Sequence, residues 1–265
     1  MVLRPSYVIA LEASTEEASL AVAIDGPPGR SVQVIDEVVL QGHAAHAGQM
    51  LPALQGLLSK YALQAADCRL IGVDVGPGGF TGLRTVCAFA QALATGWQIR
   101  CATMPSLELM AIEAHGLAAV RYGAAAADGL WLSVLDARLG QVYCATYCIE
   151  HLEADQGRAA PLVRLLDGPR LDVLASLLGG ADSRVLAGMA VCGLADHQVS
   201  TALESSSVAQ PGCGCFELSP RAAVLARMVS QRSAEHAVDP IDCQPSYVRQ
   251  HVAQTIAERR QIRHA

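Results

Sequence analysis

Residues 72–96 read GVDVGPGGFTGLRTVCAFAQALATG. A short apolar run, Leu70–Val75, breaks at the loop Gly76-Pro77-Gly78-Gly79, and helical periodicity begins near Thr81. Strand, glycine-rich turn and helix in that order open an α/β unit, and backbone amides at such a helix start can hold an anion. The two phosphate fingerprints are not met. A Walker loop needs a lysine, and 76–82 has none; a dinucleotide GxGxxG needs glycine where Thr81 stands, and Gly82 comes one residue late. Gly76, Gly78, Gly79, Thr81, Gly82 and Arg84 are therefore candidate anion contacts beside a plainer alternative, that the glycines permit a tight turn.

The helix behind the loop is more informative. At about 100° per residue, Leu83, Val86, Cys87, Ala90, Leu93 and Ala94 share one face. The opposite face carries Thr85, Ala88, Phe89 and Ala92, and polar groups are confined to Arg84, Gln91 and Thr95. A surface helix shows a broad charged face. This one has a single charge, so it is expected to be covered on two sides. Ala88 and Ala92 allow another helix to approach closely, either from this chain or from a partner.

Upstream lie three strand candidates, Tyr7–Leu11, Ser19–Ile24 and Val32–Leu40, and a helix over 47–63 with apolar residues at helical spacing and Pro52 expected in its first turn. Downstream come a strand at Ile99–Thr103 and a helix at Ser106–Glu113. The strand pair Leu130–Leu135 and Val142–Cys148, around a turn at 136–140, then parallels the start of the chain: VIALEASTEEASLAVAI and WLSVLDARLGQVYCATY each read strand, acid, short polar turn, strand, with Asp136 in the role of Glu12. The pattern suggests a duplicated unit, beside the alternative that two hairpins of low identity resemble each other by chance. Residues 151–183 read as mixed and loop-rich, helical near Leu171–Leu178; Arg184–Cys192 reads as a strand and 201–215 as loop. Ser219-Pro220 reads as a cap and first turn for a helix to Ser230. A cleft between the halves would be lined by Glu12, Ser14, Thr15, His46, Asp136 and Arg138.

Composition bounds the function. Of 265 residues 52% are hydrophobic and 17% charged, enough for a large core. A net charge of −6 disfavours tight direct binding of nucleic acid, whose affinity comes from neutralised phosphates. Nine cysteines without a CxxC pair fit a reducing cytoplasm, and no stretch has the length of a membrane span. His43-Ala-Ala-His46 has no HExxH and no third ligand at recognisable spacing, so no metal is expected. No GxSxG elbow is present.

Taken together the motifs resemble the TsaB (YeaZ) family. An apolar strand followed by Asp-Thr-Ser is matched by VIALEAST, a histidine before a Leu-Leu-Pro helix by His46 before Met50-Leu51-Pro52, and GPGSFTGLR by Gly76–Arg84 with Gly79 in place of serine. Asp-Ala-Arg-x-Gly-x-Val-Tyr is matched by Asp136–Tyr143, and Pro-x-Tyr-Leu-Arg by Pro245–Arg249. The resemblance implies an α/β, actin-like ATPase (ribonuclease H-like) fold of two related βββαβα subdomains, here 1–104 and 105–265, the C-terminal part packing back on the first. It implies a non-catalytic scaffold subunit that pairs with a TsaD-like catalytic subunit and a TsaE-like ATPase, forms a homodimer in isolation, and meets tRNA through the complex during threonylcarbamoyladenosine formation. The HxxxH metal motif of TsaD-like proteins is absent. The implied docking surface is the two first-half helices, with Met50, Leu54 and Leu57 on one and Thr85, Ala88, Phe89 and Ala92 on the other. No cofactor is implied beyond a nucleotide at a subunit boundary, and Glu12 in place of aspartate weakens that. The alternative is a free-standing actin-like ATPase, kinase or peptidase working through Glu12 and Asp136.

Overall fold

Strand β1 (Tyr7–Glu12) is buried at every residue because it lies at the centre of a sheet covered on both faces. Alternation along the strand sends Tyr7, Ile9 and Leu11 into one apolar cluster and Val8 and Ala10 into another. Such a strand reads as continuously apolar rather than alternating. The computed structural model describes residues 6–25, 32–42, 46–151, 161–179, 186–194, 214–231 and 237–249.

The first sheet has the order β3-β2-β1-β4-β5, with β2 at Glu17–Ile24, β3 at Gln33–Gln41, β4 at Cys68–Asp74 and β5 at Arg100–Met104. β1 pairs antiparallel with β2 and parallel with β4. The second sheet repeats this topology. β6 (Gly129–Arg138) pairs antiparallel with β7 (Gln141–Glu150) and parallel with β9 (Leu186–Cys192). β8 (Leu162–Asp172) and β10 (Gly214–Glu217) take the two edges, as β3 and β5 do. The two hairpins likened in the sequence, β1–β2 and β6–β7, thus occupy the same place in their sheets.

Helices α1 (His46–Lys60) and α2 (Phe80–Trp97) cover one face of the first sheet, and α3 (Ser106–Tyr122) lies between the two sheets. Leu107, Met110 and Ala114 of α3 pack with Trp131 and Tyr147 of the second sheet, while Leu109 and Ile112 join the first sheet's far face. Two short helices, α4 (Ala124–Ala127) and α5 (Leu174–Gly179), follow in the second half. The last described helix, α6 (Ala222–Gln231), returns to the first sheet, where Leu225 and Val229 press against Gly72 of β4. A Cβ at Gly72 would stand 3.1 Å from Val229.

Several local expectations need correction. α1 starts at His46, which puts Pro52 inside the helix rather than in its first turn. α3 runs to Tyr122, well past Glu113, with Ala114 and Ala118 continuing its contact with the second sheet's cluster. Strand β6 extends through Asp136 to Arg138, with the turn confined to Leu139-Gly140. Residues 162–172 form β8 instead of loop; the strand holds Gly168-Pro169, and as an edge strand it tolerates proline. There Gly168 permits close approach to β7, for a Cβ would lie 2.6 Å from the Cys144 carbonyl oxygen. Residues 214–217 are strand β10; 201–213 lie outside the described residues. Ser219-Pro220 does not cap α6. The Ala222 and Ala223 amides donate to Ser19 Oγ at 2.9 Å and Glu37 Oε1 at 3.0 Å, so the first sheet itself caps the helix.

Candidate functional site

The parallel pairing of β1 with β4 ends both strands at one side of the sheet, each on a carboxylate. Glu12 is 1% exposed and Asp74 is fully buried. Glu12 Oε1 accepts hydrogen bonds from the Ser14 amide and the Ser14 hydroxyl, both at 2.6 Å. Asp74 Oδ1 accepts from the Gly76 amide at 2.8 Å and from Ser106 Oγ at 2.7 Å. Asp74 Oδ2 is buried without a hydrogen-bond partner. Burial, and next the neighbouring Asp74, push the Glu12 carboxyl up to about 8 against the opposing hydrogen bonds from Ser14. Burial also raises Asp74, held back by Gly76, Ser106 and Ser14. The pair therefore holds its protons to higher pH than free carboxyls do. Sequence reading missed Asp74, although an acid closing an apolar strand one register from Glu12 was there to be seen.

The glycine loop seals this pair. The Gly79 amide donates to the Ser14 carbonyl at 2.6 Å. A Cβ at Gly78 would sit 2.4 Å from the Ser14 oxygen, and one at Gly82 only 2.0 Å from the Ala13 oxygen. The glycines thus let the β1–β2 turn lie directly on the start of α2. An anion there would meet the Ala13 and Ser14 carbonyls with two carboxyl groups behind them, and the Gly76 and Gly79 amides are already engaged. Thr81 offers its carbonyl to Thr85 Oγ1, and the Arg84 guanidinium stacks 3.8 Å over the Phe80 ring while Nε donates to the Tyr247 hydroxyl at 2.7 Å. Close backbone approach accounts for Gly78 and Gly82, as the tight-turn alternative has it.

Above the sealed pair lies an open cleft of about 640 Å³. Ser14 and Thr15 line one side and Asp136 and Arg138 the other. Asp136 Oδ1 accepts from the Arg138 amide at 2.8 Å, and the Arg138 guanidinium reaches across to Glu16. The C-terminal segment closes one rim: Ser246 donates its amide to the Val75 carbonyl, and Arg249 Nη2 donates to the Ala137 carbonyl at 3.0 Å and Gln141 Oε1 at 2.9 Å. Glu12 does not line this cleft, since Ser14 covers it, and the side chain of His46 lies outside the described residues. Glu16, Glu17, Asp136 and Glu217 outnumber Arg138 and Arg249 along the walls, which disfavours a polyphosphate. The residues present do not fit a metal-bound nucleotide phosphate at Glu12, and an enzyme joining Glu12 to Asp136 lacks a shared solvent face.

The outer face of α1 and α2 requires a second correction. Met50, Leu54 and Leu57 are at most 2% exposed and belong to the core of the first unit, so they cannot meet a partner. Helical spacing finds the apolar stripe of α1, and that stripe faces the chain's own sheet. The residues turned outward are Leu51, 47% exposed, and on α2 Phe80, Ala88 and Ala92, with Thr85 and Phe89 half-buried. A Cβ built at Gly48, Gly56 or Gly96 would meet nothing, so the surface there is low and open.

No described helix is long and apolar enough to cross a membrane. Residues 34–175 match the family model TsaD, tRNA N6-adenosine threonylcarbamoyltransferase. The chain is similar to the tRNA threonylcarbamoyladenosine biosynthesis protein TsaB of Escherichia coli, 29% identical over 53% of this chain and 54% of that protein. It is similar to TsaB of Bacillus subtilis, 31% identical over 44% and 47%. The aligned chain thus spans about half the length of the curated relatives it matches. The solved structure of YeaZ from Pseudomonas aeruginosa covers 91% of this chain and 99% of its own with a TM-score of 0.67 at 21% identity, which speaks for the fold alone. With that two-sheet α/β fold of the actin-like, ribonuclease H-like kind, and a family model spanning more than half its residues, the chain belongs to the TsaD tRNA N6-adenosine threonylcarbamoyltransferase family, among its TsaB (YeaZ) members.

Proposed function

We propose that this chain is a non-catalytic scaffold subunit in tRNA threonylcarbamoyladenosine formation, docking a TsaD-like catalytic subunit through the outer face of α1 and α2. The observation that carries the reading is the burial of Glu12. The acid that would hold a metal-bound phosphate in an actin-like enzyme is instead sealed beneath Ser14 and the glycine loop. The outward face of α2 supports the docking half: it is nearly free of charge and stepped with small residues, Ala88 and Ala92, that let a helix approach closely. The same face pairs two copies of this chain when the partner is absent. A TsaE-like ATPase joins the assembly, and tRNA is met through the complex, consistent with the acidic charge. The unit boundary near residue 104 falls between β5 and α3 in this reading. Ala88→Glu should abolish pairing with a TsaD-like subunit in sedimentation velocity while the variant's circular dichroism and melting stay as in the parent. Unchanged pairing would place the interface elsewhere.

A further inference from the structure

A cluster at the opposite end of the second sheet belongs to none of this. β6 and β7 pair with Gly129 opposite Ile149, so Asp128, just before β6, and His151, just after β7, meet at the open end of the hairpin. His115 reaches the same point from α3. Its Nε2 lies 3.1 Å from Asp128 Oδ1, and His151 Nδ1 lies 3.8 Å from the same oxygen. All three ligand atoms fall within 4.8 Å of one another. The two imidazole rings stand 5.1 Å apart, tilted by 35°. The cluster is roughly 25 Å from Asp136 and the cleft, by the rise of the intervening strand.

We infer that His115, Asp128 and His151 form a binding site for a divalent transition-metal ion of the Zn²⁺ type. Two imidazoles and one carboxylate are a donor set suited to zinc and its first-row neighbours. Ligands about 2.1 Å from a tetrahedral zinc stand about 3.4 Å from each other. The separations of 3.1 and 3.8 Å bracket that value and the third lies within 4.8 Å, so rotation of the more exposed His151 and Asp128 would complete the triangle. The rigidity is graded to suit. His115 is fixed in the interior at 2% side-chain exposure, whereas Asp128 and His151 are 32% and 47% exposed and can close on an ion. Solvent on that side supplies a water for the fourth position. The ion would join α3, the start of β6 and the end of β7. The competing account is a hydrogen-bonded His115–Asp128 pair with His151 beside it, its own amide donating to Asp128 Oδ1 at 2.8 Å. That account predicts no metal affinity.

Trp131 gives a local reporter, its ring meeting the His115 ring edge-on at 6.1 Å. The test uses the full, untagged chain, stripped of metal and kept reduced, titrated with Co²⁺ and then with Zn²⁺. The expected result is one Co²⁺ per chain with weak visible bands, quenching of tryptophan emission and displacement by Zn²⁺. His151→Ala, which leaves the buried His115–Asp128 contact in place, should weaken binding at least about tenfold, and Asp128→Asn should do the same. A thiolate-to-cobalt charge-transfer band would assign the ion to the cysteines and overturn the site. Equal affinity in His151→Ala, or no binding by the parent at millimolar metal, would overturn it as well.

Discussion

Gly82 of α2 lies so close beneath Ala13 that a methyl group on it would stand 2.0 Å from the Ala13 carbonyl oxygen. That contact fuses the β1–β2 turn to the helix and holds the lid on Glu12. The obstacle is backbone, which cannot rotate away as a side-chain tip would. Gly82→Ala should therefore lower stability by about 3 kcal/mol or more, read from urea unfolding. Gly79 is the contrast. It caps α2 in an extended conformation, and its Cβ would lie at an ordinary 3.4 Å from the Ser14 oxygen. Gly79→Ser should raise stability slightly, by about 0.3 kcal/mol, by adding a side-chain cap. Similar losses in both variants would mean that the close approach is not what the glycines serve.

How much of this was legible in the sequence differs by position. The face of α2 formed by Leu83, Val86, Cys87, Ala90 and Ala94 was read correctly, because helical spacing and burial agree along a helix with one sheet beneath it. The same reasoning misassigned Met50, Leu54 and Leu57, since periodicity identifies a stripe but not what covers it. The role of Gly78 and Gly82 was hidden because it depends on a turn more than sixty residues upstream. His115, Asp128 and His151 carry no local motif at all; the pairing of β6 with β7 and the packing of α3 on that sheet unite them.

The docking reading separates two residues that are neighbours in sequence. Leu51→Glu alters the exposed flank of α1, so it should weaken pairing with a TsaD-like subunit while leaving the unfolding midpoint nearly unchanged. Met50→Ala removes a fully buried side chain and should cost about 2–5 kcal/mol of stability, with pairing preserved below the melting transition. Reversed outcomes would mean that α1 turns its other face to the partner.

The strap formed by residues 237–249 is predicted to hang on Arg84. Its guanidinium stacks on Phe80 and donates to Tyr247, and the Phe80 and Tyr247 rings stand 5.5 Å apart. Arg84→Ala removes both the cation–π contact and the hydrogen bond. Amide exchange at Ser246, whose amide donates to Val75 at 2.7 Å, should accelerate severalfold, while exchange in β6 and β7 stays as it was. Tyr247→Phe keeps the ring and should produce the smaller change. Unaltered exchange at Ser246 in Arg84→Ala would show that the strap is held by its other contacts, Val238 on Cys101, Gln91 on Cys243 and Arg249 on Ala137.

The buried pair sets a direction for stability against pH. The Glu12 carboxyl is raised in the folded chain, first by burial and then by Asp74, to about 8 from an ordinary value near 4.5. Between those two values the folded state keeps a proton that the unfolded state has released. Stability must then fall as pH rises through that window and level off above it. Below the ordinary carboxylate range both states hold the proton, so the group adds no slope there. Glu12→Gln replaces the carboxyl with a neutral amide of similar size whose oxygen can still accept from Ser14. Its unfolding free energy, measured in urea at pH 5, 6, 7 and 8, should decline less steeply than the parent's. The gap should turn in the variant's favour toward pH 8, where the parent forces a charge into a site with Asp74 Oδ2 already unpaired. Parallel slopes for the two chains would mean that Glu12 is ionised throughout and that the seal over it admits water.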